Sequence, residues 1–282
     1  MPKPSRRYRA SIAALLALFG PGAALAAPQA GPVVPPAATY ADLADLADSA
    51  PLVLRVQVRK LARLDASQNT GARPGWGRFY AEARTGAMLA GDGVVMEKLR
   101  YLVDLPLDAR GRPPALNKKP VLLFAAPVAG RPGELRLVAP DAQVLWDAAS
   151  EAQLRSLLTE LLAPDAPARI TGVREVIHVA GALAGEGETQ MFLATRDGTA
   201  ASIAVTRRAG AAPVWGVSFS EVAEGGSPPP RETLRWYRLA CFLPARLPEE
   251  VNLSASPGEK AQADADYQLV VEGLGPCPRL RR

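Results

Sequence analysis

Histidine occurs once and cysteine twice in 282 residues, and that scarcity excludes most site chemistries at the outset. A zinc site needs three or four Cys, His or carboxylate ligands, and no H-E-x-x-H is present. The single histidine, His178, stands in an apolar strand between Ile177 and Val179. There it reads as a structural or surface strand residue rather than a general base. A serine hydrolase of the G-x-S-x-G type is also missing. Gly216-Val217-Ser218 runs on as Phe219-Ser220, so the second glycine is absent, and no S-x-x-K occurs. Neither phosphate loop is present, G-x-x-x-x-G-K or G-x-G-x-x-G. Aromatics are few, at 6%. No stretch approaches the roughly 20 apolar residues of a membrane-crossing helix. On this reading no catalytic residue, metal ligand or cofactor is assigned.

Paired carboxylates can run hydrolysis without a histidine. Asp104 with Asp108, Glu186 with Glu188, and Glu249 with Glu250 are the pairs to consider. None carries a signature, and adjacent acids on loops are usually solvated.

What the chain does carry begins at its start. Lys3, Arg6, Arg7 and Arg9 form a basic region without an acid, followed by a run of about ten mostly apolar residues from Ala10 to Phe19. Gly20-Pro21-Gly22 breaks the run, and Ala24-Leu25-Ala26 offers the small residues a signal peptidase reads. Residues 1–26 are therefore expected to be a secretory signal peptide, cut between Ala26 and Ala27. A periplasmic or secreted protein is the expectation, with no transmembrane segment after cleavage. The net charge of +5 (33 Lys and Arg against 28 Asp and Glu) then shrinks, because the leader holds four positive and no negative charges. The mature chain is left near +1, which removes the global argument for a nucleic-acid partner.

In an oxidising compartment Cys241 and Cys277 are expected to form a disulfide. They lack the C-x-x-C spacing of a redox pair. Residues 27–38, with Pro28, Pro32, Pro35 and Pro36, read as an extended tether.

Beyond the tether, Thr39 caps an expected helix over Tyr40–Asp48. Leu43, Leu46 and Ala47 form its apolar face, and Asp42, Asp45 and Asp48 a solvated one. Leu54, Val56 and Val58 alternate with polar residues as a half-buried strand. Further strands are expected over Phe79–Leu89, Val94–Val103, Val121–Phe124 and Leu135–Val138. Leu154, Leu157, Leu158 and Leu161 then recur at helical spacing, with Ser150 and Gln153 as a capping box. Pro164 and Pro167 mark a boundary between a unit over 39–164 and a second over 168–282. The second unit should hold strands over Ile170–Val179, Gln190–Thr195, Ala201–Arg207 and Val214–Val222. Asp197-Gly198 is a type I′ hairpin signal within it. A helix over Arg231–Phe242, an irregular stretch over Leu247–Ala265 and a last strand over Tyr267–Val271 complete the reading. The fold class is α+β and mainly antiparallel β. It comprises a small barrel-like N-terminal unit, OB-like in size, and an antiparallel sheet-and-helix C-terminal unit.

The most distinctive segment is Pro228–Pro244. Arg231, Arg235 and Arg238 fall at i, i+4 and i+7, with Trp236 near the stripe. Arginine forks bind carboxylates and phosphates, and Trp and Arg anchor interfaces, so these four residues are the expected interaction surface. Glu221, Glu224 and Glu232 are the acids that could neutralise it. The expected function is a non-catalytic cell-envelope interaction or ligand-binding protein, with an envelope protein or an anionic envelope ligand as partner. The alternatives are a carboxylate-dependent hydrolase of envelope material, or lipid or lipopolysaccharide handling around an unfilled apolar interior.

Overall fold

The β-rich half is built first. In a computed structural model that describes residues 38–281 apart from 66, 68–70, 94 and 221–226, α1 (Tyr40–Ala47) leads into six strands. These are β1 (Leu52–Arg63), β2 (Trp76–Ala90), β3 (Lys98–Pro106), β4 (Pro120–Pro127), β5 (Glu134–Leu137) and β6 (Gln143–Leu145). The order β1-β2-β3-β5-β4 closes on itself because β1 also pairs with β4. The seam between β3 and β5 is parallel, and the other pairings are antiparallel. Closure leaves the barrel no exposed strand edge along β1–β5, the general liability of a sheet. The expected leader and most of the tether, residues 1–37, lie outside the described residues, as do Glu221 and Glu224.

Side-chain alternation explains the barrel. Leu54, Val56 and Val58 of β1, Phe79, Ala81 and Ala83 of β2, Leu99, Tyr101 and Val103 of β3, and Val121, Leu123 and Ala125 of β4 fill its interior. The uninterrupted run of β4 has a second reason. Leu122 and Phe124 point outward into the core shared with the helices, so β4 is buried on both faces. The turn Gly91-Asp92-Gly93 falls where expected. Gly91 has φ 118° and lies so close to Pro51 that a Cβ would come within 2.7 Å of its carbonyl oxygen.

The second half comprises α2 (Ala148–Leu161), a sheet of β7 (Ile170–Ala180), β8 (Gly187–Thr195), β9 (Ser202–Arg207) and β10 (Val214–Ser218), then α3 (Leu234–Ala240) and α4 (Pro257–Leu274). The sheet is an antiparallel meander in the order β10-β9-β8-β7. One hydrophobic core runs through α1, α2, the inner face of this sheet, α3 and α4, and the described residues form a single compact unit. Among the described residues no helix is long and apolar enough to cross a membrane.

Several local expectations need correction. Tyr267–Val271 is not a strand but part of α4. Its start is the capping box Ser256-Pro257-Gly258-Glu259, with Pro at the first turn. Its buried residues Ala263, Asp266, Tyr267, Val270 and Leu274 recur three and four apart. A five-residue β-like run was weighed there without that longer period. Helix α2 starts earlier than expected. Asp147 is its N-cap, accepting from the Ser150 N–H at 2.9 Å, so Ser150 sits inside the helix. The Asp197-Gly198 turn is not type I′, because Gly198 alone has positive φ; Asp197 instead accepts from the Thr199 N–H. Strand β6 had no counterpart in the sequence reading.

The aspartate face of α1 is also not solvated. Thr39 caps the helix with a full capping box, as expected. However, Asp42 is buried and accepts the backbone N–H groups of Leu280 and Arg281. Asp45 takes Arg279 at 2.6 Å and the Tyr237 hydroxyl at 2.6 Å. Asp48 takes both terminal nitrogens of Arg238, at 2.8 and 2.7 Å. Three acids in a row on one helix face thus anchor the C-terminal segment and α3. The Cys241–Cys277 disulfide is formed, joining the end of α3 to the segment beyond α4.

Candidate functional site

The expected interaction surface separates into two layers. Helix α3 begins only at Leu234, so Arg231 precedes it; Arg231 and Arg235 are exposed. Trp236 and Arg238 belong to the core and present no surface. The indole N–H of Trp236 donates to the Leu274 carbonyl at 2.9 Å, and Arg238 bonds Asp48 and the Pro167 carbonyl. Burial raises the Asp48 carboxyl pKa, but the hydrogen bonds and charge of Arg238 outweigh it and hold the group below its ordinary value. Of the residues that could neutralise the stripe, Glu232 accepts from Gln153 Nε2 at 3.0 Å.

Of the carboxylate pairs, Glu186 and Glu188 line one open groove at the β7–β8 turn. Asp104 is buried, but both its oxygens are bonded to Arg78, at 2.7 and 2.9 Å. Asp108 accepts from two backbone N–H groups of its own turn and from Arg112. Glu249 and Glu250 lie on an exposed 3-10 turn. The barrel interior is lined by large apolar side chains such as Leu54, Phe79, Tyr101 and Leu123.

A different site emerges on the barrel wall. A pocket of about 350 Å³ opens between the β1–β2 loop, the end of β3, the start of β6 and the C-terminal segment. Trp76, Leu105, Pro106, Pro114, Leu116 and Leu145 provide apolar walls, and Arg73, Asp141, Gln143 and Arg281 provide polar groups. The polar groups are held in place. Arg73 lies 4.0 Å over the Trp76 ring and donates to Asp141 Oδ2 at 2.7 Å. Arg281 donates to Asp141 Oδ1 at 2.7 Å, and the Tyr101 hydroxyl donates to Gln143 at 2.6 Å. Burial lowers the Arg281 pKa against the pull of Asp141 and Asp42, the mark of a guanidinium stripped of water.

Asp104 also lines a second, more open groove of about 690 Å³ along the outer face of β2, β3 and β5. The register explains its chemistry. Tyr80 stands opposite Leu102, and Arg78 opposite Asp104, on adjacent strands. Leu102 is 48% exposed on this face. Arg100 and Arg131 share Glu134 as their partner, at 3.9 and 3.3 Å. Among the described residues no carboxylate pairs with Arg136, which is exposed at the same groove. Three guanidinium groups against one carboxylate leave this end of the tract positive.

The chain matches no protein-family model and no curated protein. The argument for function therefore rests on this geometry. An apolar pocket with a few converging polar groups is the usual form of a ligand site, and a positive groove lies beside it, with Asp104 lining both. Sequence reasoning missed the tract because its parts come from segments spread between Arg73 and Arg281. The pairing of Arg73 with Trp76 three residues on was the only local signal.

Proposed function

We propose that this chain is an exported, non-catalytic ligand-binding protein of the bacterial cell envelope, and that its ligand is an anionic amphiphile. The apolar part would sit in the pocket beside Trp76, and its acidic groups would lie along Arg100, Arg131 and Arg136. The observation that carries the reading is that the two cavities lie on either side of Asp104, which lines both, with apolar walls in one and unneutralised arginine in the other. The leader read from residues 1–26 supplies the compartment. The tract's carboxylates support binding over hydrolysis, since Asp104 is committed to Arg78, Asp141 to Arg73 and Arg281, and Asp42 to backbone N–H groups. The expected partner, an anionic envelope ligand, thus moves from the α3 stripe to the barrel wall.

The test is a binding screen of the mature protein against lipopolysaccharide, anionic phospholipid vesicles and peptidoglycan fragments, read by tryptophan fluorescence. One anionic class should change the signal saturably. Trp76→Phe should lose the fluorescence response, and Arg136→Glu should weaken binding with the fold intact by circular dichroism. Equal binding by wild type and Arg136→Glu, or no binding to any fraction, would overturn the proposal.

A further inference from the structure

We infer that the small pocket beside His178 is a binding site for a primary ammonium group. Strand β7 points Val176 and His178 inward and leaves Ile177 and Val179 exposed, the reverse of the usual apolar-in pattern. The imidazole is therefore buried by design of the register, with its side chain only 5% exposed. Its Nδ1 lies 2.8 Å from the Thr189 hydroxyl, directly across the β7–β8 ladder. Thr189 in turn donates its one proton to Asp266 on α4. A hydroxyl that has given its proton away can only accept from the histidine. This network places a proton on Nδ1, and in the neutral imidazole Nε2 is then a bare lone pair.

No described residue bonds that Nε2. The ring borders a pocket of about 420 Å³ shared with Glu186, Arg207, Gly258, Glu259 and Gln262. Gly187 keeps the atom uncovered, because a Cβ there would come within 3.0 Å of Nε2 and 2.7 Å of Cε1. Donors around the pocket are largely committed. Arg207 donates to Asp266 at 2.7 Å, and Gln262 Nε2 donates to Asp266 at 3.2 Å, leaving the Gln262 carbonyl open. The α4 N-terminus carries about half a positive charge, but the Glu259 carboxylate already accepts the Ser256 N–H there. Glu186 and Glu259 line the pocket beside Arg207, whose charge is already taken by the buried Asp266, so the site is negative and its open groups mainly accept. The occupant that fits is a compact cation with several N–H donors, which describes a primary ammonium. A lysine side chain and a free alkylamine both present it.

The single histidine makes the test direct, since the imidazole ¹⁵N resonances can come only from His178. Titration with n-butylammonium should move the Nε2 signal saturably upfield. Tetramethylammonium, equal in charge but without N–H donors, should not. Glu186→Gln should weaken the response about three-fold, as an exposed charge pair would. Gly187→Ala, which covers the lone pair, should abolish it with the far-ultraviolet spectrum unchanged; if that variant fails to fold, Glu186→Gln carries the test. An equal response to tetramethylammonium, no response to either, or full binding by Glu186→Gln would overturn the proposal. Cadaverine and Nα-acetyl-lysine amide then separate the sources: tighter binding of the first indicates a free amine, of the second a protein side chain.

Discussion

The two halves of this molecule solve the same problem with different materials. The barrel is apolar inside, from Leu54 and Val58 to Leu123 and Ala125, and its ion pairs, such as Arg78 with Asp104, sit on its wall. It closes on itself through β1 and β4, and only the side carrying Leu122 and Phe124 is covered by the helices. The four-stranded sheet cannot close. It relies on α4 across its inner face, and that interface includes His178, Thr189 and Asp266. A disulfide and the Arg238–Asp48 pair fix the surrounding helices. Closure lets a small sheet be held by hydrophobic burial alone, whereas an open sheet in a short chain recruits polar and covalent ties.

The largest expected effect tests those ties. Arg238→Met leaves Asp48 without its cation in a half-buried place and should destabilise the fold by about 3–5 kcal/mol, measured by urea unfolding. A loss below about 1 kcal/mol would mean that the pair is no better than a surface one. Reduction of Cys241–Cys277, which spans 36 residues, should remove about 3–4 kcal/mol on the chain-entropy estimate. Hydrogen exchange should then show α3 and α4 losing protection before β1–β4. Simultaneous loss in both halves would erase the contrast and make the fold one cooperative unit. Leu158→Ala, which empties a site at the α2 interface where the side chain is 5% exposed, should cost about 2–5 kcal/mol. An unchanged melting temperature would refute the packing of α2.

Acidification probes the same region. The Asp48 carboxyl has a folded pKa below its ordinary 3.8. Its contribution is therefore complete above about that pH and is lost as pH falls through the folded value. Acid unfolding monitored below pH 4 should show that component in the wild type, and Arg238→Met should lack it. The smallest effects come from a pair of tyrosines. Tyr101→Phe removes a hydroxyl bonded to Gln143 and should cost about 1 kcal/mol. Tyr40 has a buried hydroxyl with no partner among the described residues, so Tyr40→Phe should be neutral or slightly stabilising. A cost equal to that of Tyr101→Phe would show that the Tyr40 hydroxyl has a partner after all.

The strands were legible in the sequence wherever one face meets water, because alternation survives there: Leu54, Val56 and Val58 are the case in point. The α+β class and the disulfide followed from the same kind of reading. What escaped was set by partners far away in the chain. The period of α4 was hidden by the β-like run Tyr267–Val271, although the Ser256–Glu259 capping box announced it. Asp42, Asp45 and Asp48 look like a wet face until Arg238, Arg279 and the backbone at 280 and 281 arrive. The arginine stripe of α3 was misjudged for the same reason, since Arg238 is consumed by Asp48. The barrel-wall tract needs residues from the β1–β2 loop, β3, the β5–β6 turn and the C-terminal segment, and no window of sequence contains them together.

Asp42 and its two backbone donors lie 238 and 239 residues apart in the chain. A ribosome makes about 5–20 residues each second, so the first helix waits tens of seconds for the strand of peptide that completes it. Whatever shape the early chain takes, α1 stays unfinished until residues 280 and 281 have been made. The contacts that Asp42 makes beyond α4 can therefore form only after the barrel and the four-stranded sheet have both been made.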